Sequence, residues 1–145
     1  MIGLFLLQAS DSLRHKARLR QWNATAAQGR RGEDMAHRFL QRSGYVVVAR
    51  NYRTRGGSAE VDIVCYEDST IIFVEVKTRQ SEEFGPPDRA VDAEKQEHIF
   101  RAAGEYLRRA ELPWSMARFD IVSIVSTENG TVRHLKDAFR RSQPL

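Results

Sequence analysis

Apolar residues recur along this chain with two different periods, and the changes between them mark out its elements. Met35, Ala36, Phe39 and Leu40 are spaced as one face of a helix, and Gly44 stands where such a helix would end. Tyr45 to Tyr52 is rich in β-branched and aromatic residues and predicts a strand, closed by turn chemistry at Arg55-Gly-Gly-Ser58. Two further strands are predicted over Ala59 to Tyr66 and Thr70 to Arg79, joined tightly at Asp68-Ser69. Gln80 to Asp88, with Gly85-Pro-Pro87, reads as a loop. Ala90 to Ala110 is the longest predicted helix, with Ile99, Ala102, Ala103, Tyr106 and Leu107 on its apolar side and Leu112-Pro-Trp114 as its stop. Phe119 to Val125 is a strand, and Thr131 to Leu135 is a weaker one after a turn at Asn129-Gly130. The order is α-β-β-β-α-β-β, which predicts an antiparallel meander followed by a helical crossover back to the sheet.

Strand alternation decides which side chains meet. In the second strand Glu60, Asp62 and Val64 are expected on one face, opposite Val61, Ile63 and Cys65. The third strand has Ile71, Phe73, Glu75 and Lys77 on one face, with Ile72, Val74 and Val76 on the other. Apolar residues on both faces make it a central strand, where a charge is costly unless something compensates it. A two-residue turn at Asp68-Ser69 pairs Glu67 with Thr70, which sets Asp62 opposite Glu75 and Glu60 opposite Lys77. Opposed Cβ atoms stand roughly 5 Å apart, so Asp62 and Glu75 repel unless a proton or a cation lies between them. Mg²⁺ (or Mn²⁺) suits such a pair of hard oxygen ligands. Glu33 precedes Ala36, His37 and Leu40 by helical intervals, near the core-facing stripe, and Lys95 stands one turn before Ile99. Each of these features also has a plain structural reading: Glu60 bridged to Lys77, Glu33 serving the helix dipole, Lys95 a solvated charge. Their concurrence favours chemistry.

Composition changes the picture in one respect. At 145 residues the chain is large enough for a core without staples, and 41% hydrophobic with 29% charged residues excludes wholesale disorder. The net charge is only +4, yet arginines crowd the first part of the chain while most acids lie further on. A basic flank beside an acidic centre suits a polyanionic partner held next to a metal. Arg53, Arg55, Arg79 and Lys95 are the expected phosphate contacts. The single cysteine, Cys65, fits a reducing compartment, so the cytoplasm is expected, and the scattered His15, His37, His98 and His134 argue against zinc. The apolar run Ile2 to Leu7 is too short to span a bilayer. The expected organisation is a basic extension over 1–28, which includes a stretch able to form a basic amphipathic helix, an endonuclease-like domain over 29–140 and a tail over 141–145.

Gly32-Glu-Asp-Met-Ala36, Arg50-Asn-Tyr-Arg53, Glu60-Val-Asp-Ile-Val64, Phe73-Val-Glu-Val-Lys-Thr-Arg79, Phe84-Gly85, Lys95 and Arg118-Phe-Asp120 together resemble the YraN-like family of bacterial proteins, from about Gly29 to Phe139. Ala59 stands where that family usually has glycine, and residues 1 to about 28 have no clear counterpart in it. The resemblance implies the restriction-endonuclease-like fold of PD-(D/E)xK nucleases, an α/β core whose mixed, mostly antiparallel sheet is flanked by helices. It implies a catalytic set of Glu33, Asp62, Glu75 and Lys77, with Asp62, Glu75 and the backbone carbonyl of Val76 as metal ligands. The activity implied is hydrolysis of phosphodiester bonds in branched or single-stranded DNA, with a homodimer admitted as the assembly. The competing expectation is a catalytically silent nucleic-acid-binding module that scaffolds DNA processing.

Overall fold

The computed structural model describes Ala27 and residues 29–79, 91–125 and 130–142. The expected basic extension apart from Ala27, with the amphipathic helix expected in it, the Gln80 to Asp88 loop and Asn129 lie outside the described residues. The chain divides into two units, Met1–Arg31 and Gly32–Leu145, and the second carries the sheet and the acidic residues. A helical run over 29–42 (α1) belongs to the second unit from Gly32 onward. It is followed by β1 (Val46–Arg53), β2 (Glu60–Glu67), β3 (Thr70–Arg79), α2 (Ala93–Ala110), β4 (Ala117–Val125) and β5 (Thr131–Leu135), with a 3-10 turn at Trp114–Met116. The α-β-β-β-α-β-β order expected from periodicity is the observed one.

The five strands lie in sequence order, β1-β2-β3-β4-β5. All neighbours run antiparallel except β3 and β4, which are parallel from Ile71↔Ala117 to Arg79↔Val125 because α2 carries the chain back to the starting edge between them. β3 is central, and Ile71, Ile72, Phe73 and Val74 are fully buried, as expected of a strand covered on both faces. Each such side chain withdrawn from water contributes about 1.5–3 kcal/mol.

The two faces hold separate cores. On one, Val61, Val64, Phe73, Phe119 and Ile121 pack against Ile99, Phe100, Ala102, Ala103 and Leu107 of α2. On the other, Ile63, Cys65, Ile72, Val74, Val122 and Ile124 pack against Ala36 and Leu40 of α1. Gly44 ends α1 with φ +92°, a conformation open to glycine. Two expectations are corrected here. Met35 is 37% exposed, so the buried stripe of α1 is narrower than its apolar spacing suggested. The second helix begins at Ala93 rather than Ala90, because the Asp92 carboxylate accepts the Lys95 backbone N–H at 2.8 Å and caps it.

Candidate metal centre

The acidic residues meet where the pairing of β2 with β3 gives way. Glu67↔Thr70 closes the hairpin as its turn predicted, with Asp68 at φ +53°, and the ladder runs inward to Ile63↔Val74. One step further, the Asp62 carboxylate takes the place of a backbone partner and accepts the Val76 N–H at 2.8 Å. A side chain that satisfies the neighbouring strand's backbone is fixed in place.

The alternation of β2 also slips at this level. Val61 and Val64 both pack on the α2 side, while Ile63 and Cys65 pack on the α1 side. The expected sharing of one face by Val61, Ile63 and Cys65 is therefore corrected. The cause lies across the sheet, where Asn51, flanked by the pairs Arg50↔Ile63 and Tyr52↔Val61, has φ +51°. Left-handed backbone costs asparagine less than most residues, and it interrupts the pleat of β1 opposite Asp62. The slip leaves Asp62 within reach of groups from both sides of the sheet.

From α1 comes Glu33. Its side chain is largely buried, 3.5 Å from the Arg50 guanidinium, which also grips Asp34 at 2.7 Å. Burial above all, and the nearby Asp62 charge, raise the Glu33 pKa, against the pull of the Asn51 amide and Arg50. Glu33, Glu60 and Asp62 each bring one carboxylate oxygen to within 4.8 Å of the others. Glu60 is absent from the ligand set expected from the sequence. The plain structural alternative, Glu60 bridged to Lys77, is not what forms: Glu60 binds Arg53 at 3.2 Å and Lys77 faces Glu75. Its spacing two residues before Asp62 was the available signal.

From β3 comes Glu75, 4% exposed, with its Oε1 3.5 Å from Lys77 Nζ and 3.7 Å from Lys95 Nζ. Lys95, though 41% exposed, is thus more than a solvated charge: α2 delivers it to Glu75. The Asp62 pKa is pushed up to about 7, by burial first and by the Glu75 charge second, with the Val76 N–H and Lys95 opposing. Whether a cation fits can be judged from the oxygens left over. Glu33 Oε2 and Glu75 Oε2 are buried and accept no hydrogen bond. Unpartnered buried carboxylate oxygens are rare because each forfeits its hydration. Glu33, Glu60 and Asp62 together offer an all-oxygen set of the kind that hard divalent cations take, with Glu33 Oε2 also facing Arg50 and Glu75 standing beside Asp62 outside that trio.

Arg53 is exposed and committed to Glu60, Arg55 sits on the β1–β2 turn, and Arg79 is at the end of β3. The Arg50-Asn-Tyr-Arg53 run now has a physical reading: Arg50 and Asn51 serve Glu33, Arg53 serves Glu60, and the Tyr52 hydroxyl donates to Glu105 of α2 at 3.0 Å. A polar group that periodicity missed lies on the same face as α1. Asp120, wholly buried, accepts two hydrogen bonds from Arg118 at 2.8 Å, one from His134 Nε2 at 2.7 Å and one from the Asp137 N–H at 2.9 Å.

Fold and site together define a class: an α/β domain whose carboxylates gather where two central strands part, with lysines beside them. The chain belongs to the uncharacterised protein family UPF0102, whose profile matches residues 32–124. It is 48% identical over 139 residues to a UPF0102 protein of Solibacter usitatus, covering 96% of this chain and all of that relative. It is 43% identical to one from Desulfosudis oleivorans, covering 77% of this chain and 88% of the relative, and 39% identical to one from Persephonella marina, covering 77% and 91%. The family profile begins only at residue 32, as expected of the segment 1–28, although the Solibacter match leaves out only a few residues and so gives most of that segment a counterpart in one relative. Among the described residues no helix is long and apolar enough to cross a membrane.

Proposed function

We propose that this protein is a metal-dependent hydrolase of phosphodiester bonds in nucleic acid, DNA in the first instance. The observation that carries the reading is Glu75: a buried carboxylate with one unpartnered oxygen, next to Asp62 on one side and two lysines on the other. The resemblance to PD-(D/E)xK nucleases, with Glu33, Asp62, Glu75 and Lys77 at matching places, supports it.

Asp62 and Glu75, with the Val76 carbonyl, would hold Mg²⁺ or Mn²⁺, and Glu33 and Glu60 would complete the oxygen set. Such an ion, when bound, polarises a phosphate and makes coordinated water more acidic. Lys77, only partly exposed, keeps a cation beside the reacting phosphate, where it orients the attacking water or stabilises the charge that develops on phosphorus oxygens. Lys95 balances the Glu75 charge from α2. Arg55 on the β1–β2 turn and Arg79 at the end of β3 would steady the backbone. The lone cysteine, buried and free, suits a reducing cytoplasm.

One observation favours the silent nucleic-acid-binding module instead: two lysines already neutralise Glu75. A panel of labelled duplex, single-stranded, flap and four-way-junction DNA with Mg²⁺ or Mn²⁺ separates the two. The hydrolase cleaves at least one substrate and loses this in Glu75→Gln with binding retained. Lys77→Ala lowers cleavage by about 10²-fold or more and leaves binding nearly unchanged, as expected of a group acting in the transition state. Metal-independent binding without cleavage of any substrate would decide for the scaffold.

A further inference from the structure

A second basic feature lies on α2, away from the carboxylates. An open cleft of about 470 Å³ between α2 and the β1–β2 turn is lined by Arg55, Arg101, Arg108 and Arg141, with Trp114 and Glu97 also in its wall. Its other carboxylate is already occupied: Glu105 accepts the Arg55 backbone N–H at 3.1 Å and the Tyr52 hydroxyl at 3.0 Å, and lies 3.6 Å from Arg109. Arg55, Arg101 and Arg141 form no ion pair with a carboxylate among the described residues, Arg101 meeting His98 at 3.0 Å, and Arg108 shares Glu105 with Arg109. The cleft thus holds a clear excess of uncompensated positive charge.

Arg141 is prepared in a particular way. Its guanidinium lies 3.9 Å from the Trp114 ring centre, a stacking that orients the planar fork without using its N–H donors. Gly104 makes this possible, since a Cβ there would press on Trp114 at 3.1 Å. Arg101 and Arg108 are seven residues apart on α2, on one face and roughly 10 Å from each other along the axis. Lys95, at the Glu75 end, precedes Arg101 by less than two turns. Arg101 and Arg108 thus share the cleft face of α2, while Lys95 stands about a third of a turn round the helix, beside Glu75.

We propose that this cleft binds phosphates of the substrate strand remote from the scissile bond. The proposal rests on the hydrolase reading and adds a binding subsite to it. Planar, oriented guanidinium groups spaced along a line match a phosphodiester backbone, which presents bidentate oxygen pairs at regular intervals.

The test is fluorescence anisotropy with the full chain and a labelled single strand of about 20 nucleotides, across a salt series. Arg108→Gln and Arg141→Gln should each weaken binding several-fold and flatten the plot of log K against log salt by about 0.7 for each phosphate no longer neutralised. Glu97→Gln should tighten binding by a similar factor, an opposite sign that misfolding cannot produce. In cleavage assays the arginine variants should raise KM and keep kcat. Arginine variants that bind and cut as the unmutated protein does would overturn the cleft and leave the acidic centre standing. An unmutated protein that binds no oligonucleotide at any salt would overturn both. Polyglutamate competing as well as the oligonucleotide would assign the cleft to an acidic peptide and overturn the proposal.

Discussion

Asp62 sits under two opposing demands. Its backbone partner Val76 holds the carboxylate in place, while burial and Glu75 resist its charge and raise its pKa from the ordinary 3.8 to about 7. For a raised acid the favourable contribution is complete below the unfolded value and is lost as pH rises through the folded one. The metal-free protein should therefore lose stability between about pH 4 and 7, on the order of 1–3 kcal/mol from this group. Asp62→Asn should remove that slope and be at least as stable near neutrality, which denaturant titrations at several pH values will show. An Asn variant that is much less stable at pH 7 would mark Asp62 as a structural ion-pair partner. Asp120 illustrates the opposite balance. Burial would raise its pKa, but hydrogen bonds from His134, Arg118 and the Asp137 N–H together hold it below the usual carboxylate range. Its contribution persists above the ordinary value and fades as pH falls through the lowered one. Asp120→Ala strands Arg118 and His134, and urea unfolding should register a loss of about 3–5 kcal/mol at neutral pH.

At the scale of elements, the approach of α1 to the sheet decides whether Glu33 reaches the centre. Gly32 packs so closely on β3 that a Cβ would overlap the Thr78 Oγ1, with Ile124 also near. Gly32→Ala should force Thr78 aside and cost about 1–3 kcal/mol, offset in part by alanine's better helix propensity. It should also weaken the response of the melting temperature to divalent metal. Thr78→Ala relieves the overlap, so the double variant should recover both losses, a non-additivity that a double-mutant cycle measures. Purely additive effects would mean that α1 has no such tight seat. The existence and type of these elements were readable from periodicity, because β3 is apolar on both faces and α2 repeats its apolar residues every turn. The exact start of α2 was not, since capping by Asp92 outweighed the weak signal of the residues before it.

For the molecule as a whole, the centre should behave as a ligand site for divalent metal. Mg²⁺ or Mn²⁺ at a hundredfold excess over Kd should stabilise the native state by about 2.7 kcal/mol, seen as a rise in melting temperature at fixed ionic strength. The rise should be larger at pH 8 than at pH 6, since protons compete for Asp62. No response at either pH, with or without oligonucleotide, would remove the metal from the proposed function. The sequence by itself determined the element order, the central place of β3, the hairpin register at Glu67↔Thr70, and Asp62 and Glu75 as a charged pair on adjacent strands. Those follow from local rules: apolar periods of two and 3.6, turn residues, and the fixed reach of a strand pair. Only the tertiary structure decided that Glu60 turns to Glu33 and Asp62 rather than to Lys77, that Lys95 comes from α2 to Glu75, and that Asp120 anchors Arg118 and His134. Each of these depends on a break or a crossing that no period encodes. A left-handed Asn51 interrupts the pleat of β1 opposite Asp62, and helices packed on opposite faces bring side chains distant in sequence to one point where the sheet opens.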